Sequence, residues 1–239
     1  MKHWKLKLGL LSGLGMTVLV GLLIQPRWLL NLIGRVGPGA TYYIDTDAQA
    51  VALTIDDAPS EATDEILDVL DRYDAKATFF IISRRVPGRE QNLTRMVAAG
   101  HELGNHLTED EASILLSATD FEAAVLEADR VLADYGPVRW LRPGMGWYSP
   151  GMVATVSRQR RQLVLGSVFP YDTHIASPQF ASQFILSSVR PGDIIVLHDG
   201  PGRGDRTAKT LKQILPALQA QGYDVVTLST LAEQQSAKD

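Results

Sequence analysis

From residue 50 onward the chain alternates short apolar, β-prone runs with amphipathic stretches of helical period, and few folds accommodate that pattern. The runs are Val51 to Ile55, Ala77 to Ile82, His101 to Asn105, Arg139 to Arg142, Gln162 to Val168, Asp193 to Leu197 and Asp224 to Leu228. Between most of them lie helical stretches. In Glu61 to Tyr73, Ile66, Leu67, Val69 and Leu70 form an apolar face, with Ser60 placed as the cap. Others are Asn92 to Ala99, Asp120 to Tyr135, Pro150 to Arg158, Ala181 to Val189 and Arg206 to Gln221. Strand–helix alternation predicts a parallel sheet covered by helices. About seven such units favour a barrel-like closure over an open doubly wound sheet, and the pattern alone leaves both architectures open. A hydrophobic fraction of 45% permits one large domain, or a domain plus a membrane segment.

Polar residues recur where these runs end. Asp56 and Asp57 follow the first, His106 the third, Arg142 ends the fourth, Asp172 follows the fifth, and His198 and Asp199 follow the sixth. In parallel α/β folds these ends converge on one mouth. A net charge of −4 provides no basic field, which argues against nucleic acid as a partner. Cys is absent, so disulfides are excluded and a metal site must be built from His and carboxylates. There are five His: His3, His101, His106, His174 and His198.

The N-terminal segment reads separately. Lys2, His3, Lys5 and Lys7 precede Leu8 to Ile24, which carries no charge. That run is roughly 17 residues long, the lower limit for a spanning helix. An uncleaved anchor with its basic end in the cytoplasm is the expectation, leaving the rest of the chain outside the membrane. Secretion after signal cleavage is the alternative. Trp28 to Val36 is apolar apart from Asn31, Gly34 and Arg35, and suits a membrane surface. Gly37-Pro38-Gly39 reads as a linker. Residues 1–40 are therefore set apart from a globular domain over 41–239.

Two acids at the end of an apolar strand are costly unless a cation or hydrogen-bond donors hold them. Taken alone, they also fit a strand end before a helix N-terminus. A helical turn at His106 would bring Asp110 to the same side, giving Asp57, His106 and Asp110 as three metal ligands with an open position. Glu109 is the substitute for Asp110. Thr108-Glu109-Asp110-Glu111 also fits a helix-capping sequence. Two oxygens and one imidazole suit Zn2+, with Co2+, Mn2+ or Fe2+ as alternatives. His198 is a natural general acid, and Asp172 could raise its pKa. Arg142 could hold a carboxylate. His101 begins its strand, at the end opposite His106, and reads as structural; His3 and His174 have no assigned role.

These residues resemble, in order, the motifs of the polysaccharide deacetylases, the NodB-homology enzymes of carbohydrate esterase family 4. The motifs are Thr54-Ile55-Asp56-Asp57-Ala58-Pro59, His106 with Asp110, Arg142-Pro143-Gly144-Met145-Gly146, Tyr171-Asp172 and Leu197-His198-Asp199. The resemblance covers roughly residues 48 to 232. It implies a distorted (β/α) barrel and one divalent metal, usually zinc, with Asp57 and His106 as ligands. It implies Asp56 as general base, held by Arg142 and acting on a metal-activated water, and His198 as general acid, tuned by Asp172. The Met145 N–H would meet the oxyanion and Leu197 would line the acetyl pocket. The sequence departs from the family at Asp110, where a second His is usual, and at Ala58, Gly144-Met145 and Thr173. The missing sugar-stacking ring could be replaced by Trp147 or Tyr148. The expected activity is removal of acetyl from N-acetylated, or O-acetylated, sugars of a glycan. A non-sugar amide as substrate, or a non-catalytic glycan-binding role, are the alternatives; the oligomeric state is left open.

Overall fold

The computed structural model describes residues 24–235. Eight strands form one parallel sheet: β1 (Ala40–Thr41), β2 (Ala50–Ala58), β3 (Ala77–Ile81), β4 (Glu102–Asn105), β5 (Trp140–Leu141), β6 (Gln162–Val164), β7 (Ile194–His198) and β8 (Asp224–Val226). Their order is β1-β6-β5-β4-β3-β2-β7, with β8 also paired to β2. A parallel bridge between Val168 and Ile195 links the chain beyond β6 back to β7, curling the sheet upon itself. The helices are α1 (Arg27–Val36), α2 (Thr63–Arg72), α3 (Glu90–Ala98), α4 (Ala118–Leu132), α5 (Pro150–Arg158), α6 (Pro178–Ser188), α7 (Gly204–Ala220) and α8 (Leu228–Glu233).

β2 organises the rest. All nine of its residues are buried, and it pairs with β3, β7 and β8. A strand covered on both faces reads as apolar without alternation, as Ala50 to Ile55 does apart from Thr54, whose buried hydroxyl donates to the Ile195 carbonyl. Its two faces meet different cores. Val51, Leu53 and Ile55 join Leu67, Leu70, Leu211 and Ile214 under the covering helices. Ala50 and Ala52 join Phe80, Trp140, Val164 and Ile194 on the inner side of the curled sheet. Strand period two places Thr54 and Asp56 on that inner side as well.

The expected strands are all present, most of them shorter than their apolar runs. Three local expectations change. Ser60 does not cap α2; its hydroxyl accepts from the Ala62 N–H and donates to Asp199. No α-helix starts at Thr108; only a short 3-10 turn, Ser113–Leu115, follows. Residues 28–36, expected on a membrane surface, belong to α1, which is also packed on the domain through buried Leu30; β1 begins directly after the Gly37-Pro38-Gly39 linker. No helix among the described residues is long and apolar enough to cross a membrane. All of the Leu8 to Ile24 run except Ile24, and His3, lie outside the described residues.

Candidate active site

The site forms where β2, β4, β5 and β7 end. Asp56 lies beside His198 in the β2–β7 register. Alternation would send Asp57 to the opposite side. The β2–β3 register shifts between Ile55 and Ala58, and Asp57 takes φ +65°. That irregularity turns the second carboxylate back toward His106. Asp57 Oδ1 and His106 Nε2 stand 3.4 Å apart. The other imidazole nitrogen, His106 Nδ1, lies 2.7 Å from the Arg142 carbonyl oxygen, fixing the ring.

Arg142 follows Trp140 on the inner side of the sheet, and burial forces its guanidinium to find partners. It donates to the Asp56 carboxylate, to Thr54 Oγ1 at 2.8 Å and to the Leu165 carbonyl. It also lies over the Phe80 ring, 4.2 Å from the centroid. Asp56 is 4% exposed, and its second oxygen faces His198 Nε2 at 4.0 Å. Asp172 grips His198 twice: one oxygen lies 3.0 Å from Nδ1, and the other accepts the backbone N–H at 3.0 Å. Burial alone would lower the His198 pKa; the Asp172 carboxylate, with Asp56 and Asp57 beyond, more than offsets this and holds it above its ordinary value. Burial alone would raise Asp57; the His106 imidazole, with His198 and Arg85, holds it well below the usual carboxylate range.

Asp110 does not join the Asp57–His106 pair. The helical turn expected at His106 is absent: Leu107 takes φ +62°, with its N–H donating to Asn105 Oδ1 at 2.8 Å. Asp110 instead accepts from Arg85 at 3.1 Å, and Glu109 pairs with Arg84. Among the described residues no three His, Cys, Asp or Glu side chains gather as a ligand group. On the substrate side, Met145 takes φ +61° in the 3-10 turn Gly144–Gly146 and is 65% exposed, as is Trp147 at 70%. Tyr148 turns inward, its hydroxyl donating to the Gly37 carbonyl and meeting Tyr42. Leu197 is wholly buried in the helix-side core. His101 is buried and its Nδ1 accepts from the Ala77 N–H, a structural role; the exposed His174 ring lies beside Thr173 Oγ1, and its backbone N–H donates to the Tyr171 carbonyl.

Residues 43–163 match the profile of the polysaccharide deacetylase family. The chain belongs to that family. It is 35% identical over 197 residues to a chitooligosaccharide deacetylase of Sinorhizobium fredii, covering 77% of this chain and 92% of the relative. It is 31% identical over 196 residues to a peptidoglycan-N-acetylglucosamine deacetylase of Bacillus cereus, covering 80% and 92%. Among solved structures, a CE4 family pseudoenzyme mutant with restored enzymatic activity superposes with a TM-score of 0.76 at 26% identity, covering 84% of this chain and 74% of that one. The chain is thus a hydrolase of the polysaccharide deacetylase type, whose relatives act on carbon–nitrogen bonds outside peptides.

Polysaccharide deacetylases are generally dependent on a divalent metal, and the residues here fit one in part. Two ligands held roughly 2.0–2.2 Å from a tetrahedral cation lie about 3.3–3.5 Å apart. The Asp57–His106 spacing of 3.4 Å matches that edge, and the fixed His106 ring leaves Nε2 as the donor atom. The third protein ligand is not in place.

Two arginines belong to the site and were missed from the sequence. Arg203 donates to Asp57 Oδ2 at 2.7 Å, and Arg85 donates to the Asp57 carbonyl. Their signals were weak: Arg203 stands in a Gly-Pro-Gly-Arg-Gly turn five residues after His198, and Arg85 in a basic pair after β3. Asn105 was also missed. It joins β4 to α4 by donating to the Val125 carbonyl at 3.0 Å and to Asp129 at 2.9 Å. Asp199 lies deeper, accepting from Ser60 and Thr63; burial pushes its carboxyl up to about 6.

Proposed function

We propose that the protein hydrolyses the acetamide of N-acetylated sugars in a glycan. Asp56 takes a proton from the attacking water, and His198 Nε2 delivers one to the departing amine. The observation that carries this reading is the Asp56 carboxylate, fixed on one side by Arg142 and facing His198 at 4.0 Å on the other, beside Asp57 and His106. A base and an acid on either side of a reacting carbonyl are what amide hydrolysis requires. Asp172 supports the donor role of His198 by raising its pKa against burial, with Nδ1 engaged and Nε2 toward the site. Arg142 keeps Asp56 from turning away. A divalent cation held by Asp57 and His106 would supply Lewis-acid polarisation of the carbonyl and of water. The Met145 N–H is the backbone donor for the oxyanion, and exposed Trp147 is the ring for sugar stacking. O-acetyl sugars are the secondary substrate class. The domain works outside the cytoplasmic membrane, behind the apolar Leu8 to Ile24 run.

The test is acetate release from chitooligosaccharides and peptidoglycan fragments by the metal-supplemented protein. Asp56→Asn and His198→Ala should each reduce kcat by about 10²–10⁴-fold. Retained activity in both variants, or a folded and metal-loaded protein inactive on every acetylated glycan, sinks the assignment.

A further inference from the structure

One surface of the fold has no use in hydrolysis. α1 buries Leu30 against the domain and leaves Trp28, Leu32, Ile33 and Val36 in solvent, with Trp28 66% and Val36 82% exposed. At helical spacing, 28, 32 and 36 form one row, and 33 widens it on one side. Exposed Arg35 and Asn31 border the row on the other side. Four large apolar side chains on so short a helix form a contiguous patch that a water-facing surface rarely carries.

The patch is held rigidly. Arg27 pairs with Asp193 at 3.0 Å, donates to the Pro191 carbonyl and lies over the Tyr43 ring at 4.5 Å. Tyr43 donates to Asn31 Oδ1 at 2.6 Å. At the far end the Gly37 carbonyl accepts from Tyr148, the neighbour of Trp147 on the rim of the active site. α1 is therefore not a loose tether. It is a fixed part of the domain with its apolar side outward.

We infer that this side of α1 seats on the surface of a lipid bilayer. The adjoining sequence selects that occupant. The chain reaches α1 directly from Leu8 to Ile24, an uncharged apolar run behind Lys2, Lys5 and Lys7. A bilayer that takes up this run brings its headgroup layer to the first turn of α1. There Trp28 suits the interface, the aliphatic row lies in the acyl boundary, and Arg35 reaches the phosphates. The ties at Asp193 and Tyr148 then fix the tilt of the whole domain on the membrane. This inference stands independently of the hydrolytic reading.

The chain contains no Cys, so single cysteines carrying an environment-sensitive dye report one site each. Full-length Leu32→Cys and Val36→Cys are labelled and reconstituted into phosphatidylcholine–phosphatidylglycerol vesicles, with Val97→Cys on α3 as the exposed control. The dyes at 32 and 36 should brighten severalfold, shift to the blue and be quenched by spin-labelled lipid, while the dye at 97 stays as in water. The parent residues are exposed, so folding is retained; circular dichroism checks this. Dyes at 32 and 36 that remain water-like in vesicle-bound protein overturn the inference. A signal that grows with protein density at constant lipid also overturns it, in favour of a second copy on this face.

Discussion

The Arg142–Asp56 pair gives the sharpest test of how the site is held. Both residues are almost wholly buried, at 3% and 4% exposure. Arg142→Met removes the guanidinium from Asp56, Thr54 and the Leu165 carbonyl, leaving the Asp56 carboxylate with the more distant His198 and His106 imidazoles. Removing one partner of a buried ion pair costs about 3–5 kcal/mol, because the other charge stays uncompensated. Asp56→Asn is milder, about 1–3 kcal/mol, since the amide oxygen still accepts from Arg142. In the double variant no unpaired charge remains, so its loss should fall short of the summed single losses by about 2 kcal/mol or more. Urea unfolding of the four proteins at one pH, with a common m value, measures the difference. Activity should not follow stability: the double variant regains stability yet stays inactive, because it lacks the carboxylate proposed as the base. Losses that add to within about 0.5 kcal/mol would show that Arg142 does not hold Asp56.

Three further outcomes follow from the geometry. Asp172 holds the His198 pKa up against burial, and a proton donor works below its pKa; Asp172→Asn should therefore move the alkaline limb of kcat/KM to lower pH, and an unmoved limb excludes His198 as the acid. Burial, with the nearby Lys76 and Arg95 charges, holds His101 down to about 4, so the unfolded chain takes the proton first and stability is lost as pH falls. Between about pH 7.5 and 5 that loss is roughly 2 kcal/mol, and His101→Asn, whose oxygen can accept the Ala77 N–H, should lack it when the two stability curves are compared. Elemental analysis should find Asp57→Asn and His106→Gln depleted in bound divalent metal and Asp110→Asn unchanged; depletion in the last would show Asp110 leaving Arg85 for the cation.

The order of strands and helices was legible because burial leaves a strong periodic imprint on sequence. Val51 to Ile55 had to be a doubly covered strand, and the polar residues closing the runs had to meet at one end of a parallel sheet. Asp56, Asp57, His106, Arg142, Asp172 and His198 do meet there. What failed was local geometry that periodicity does not encode. The positive φ at Leu107 breaks the turn that would have brought Asp110 beside His106. Ser60 had the composition of a helix cap, but Asp199, distant in sequence, claims its hydroxyl. Arg85 and Arg203 were invisible as site residues because an arginine in a loop is ordinary until its partner is known. α1 was set aside because its apolar residues read as membrane-directed, and the single inward contact of Leu30 leaves little trace in the sequence.

Four acids at the mouth each have a basic partner within the protein: Asp56 has Arg142, Asp57 has Arg203, Asp110 has Arg85 and Asp172 has the His198 imidazole. A cation arriving between Asp57 and His106 would therefore compete with Arg203 for the Asp57 carboxylate rather than relieve an uncompensated charge.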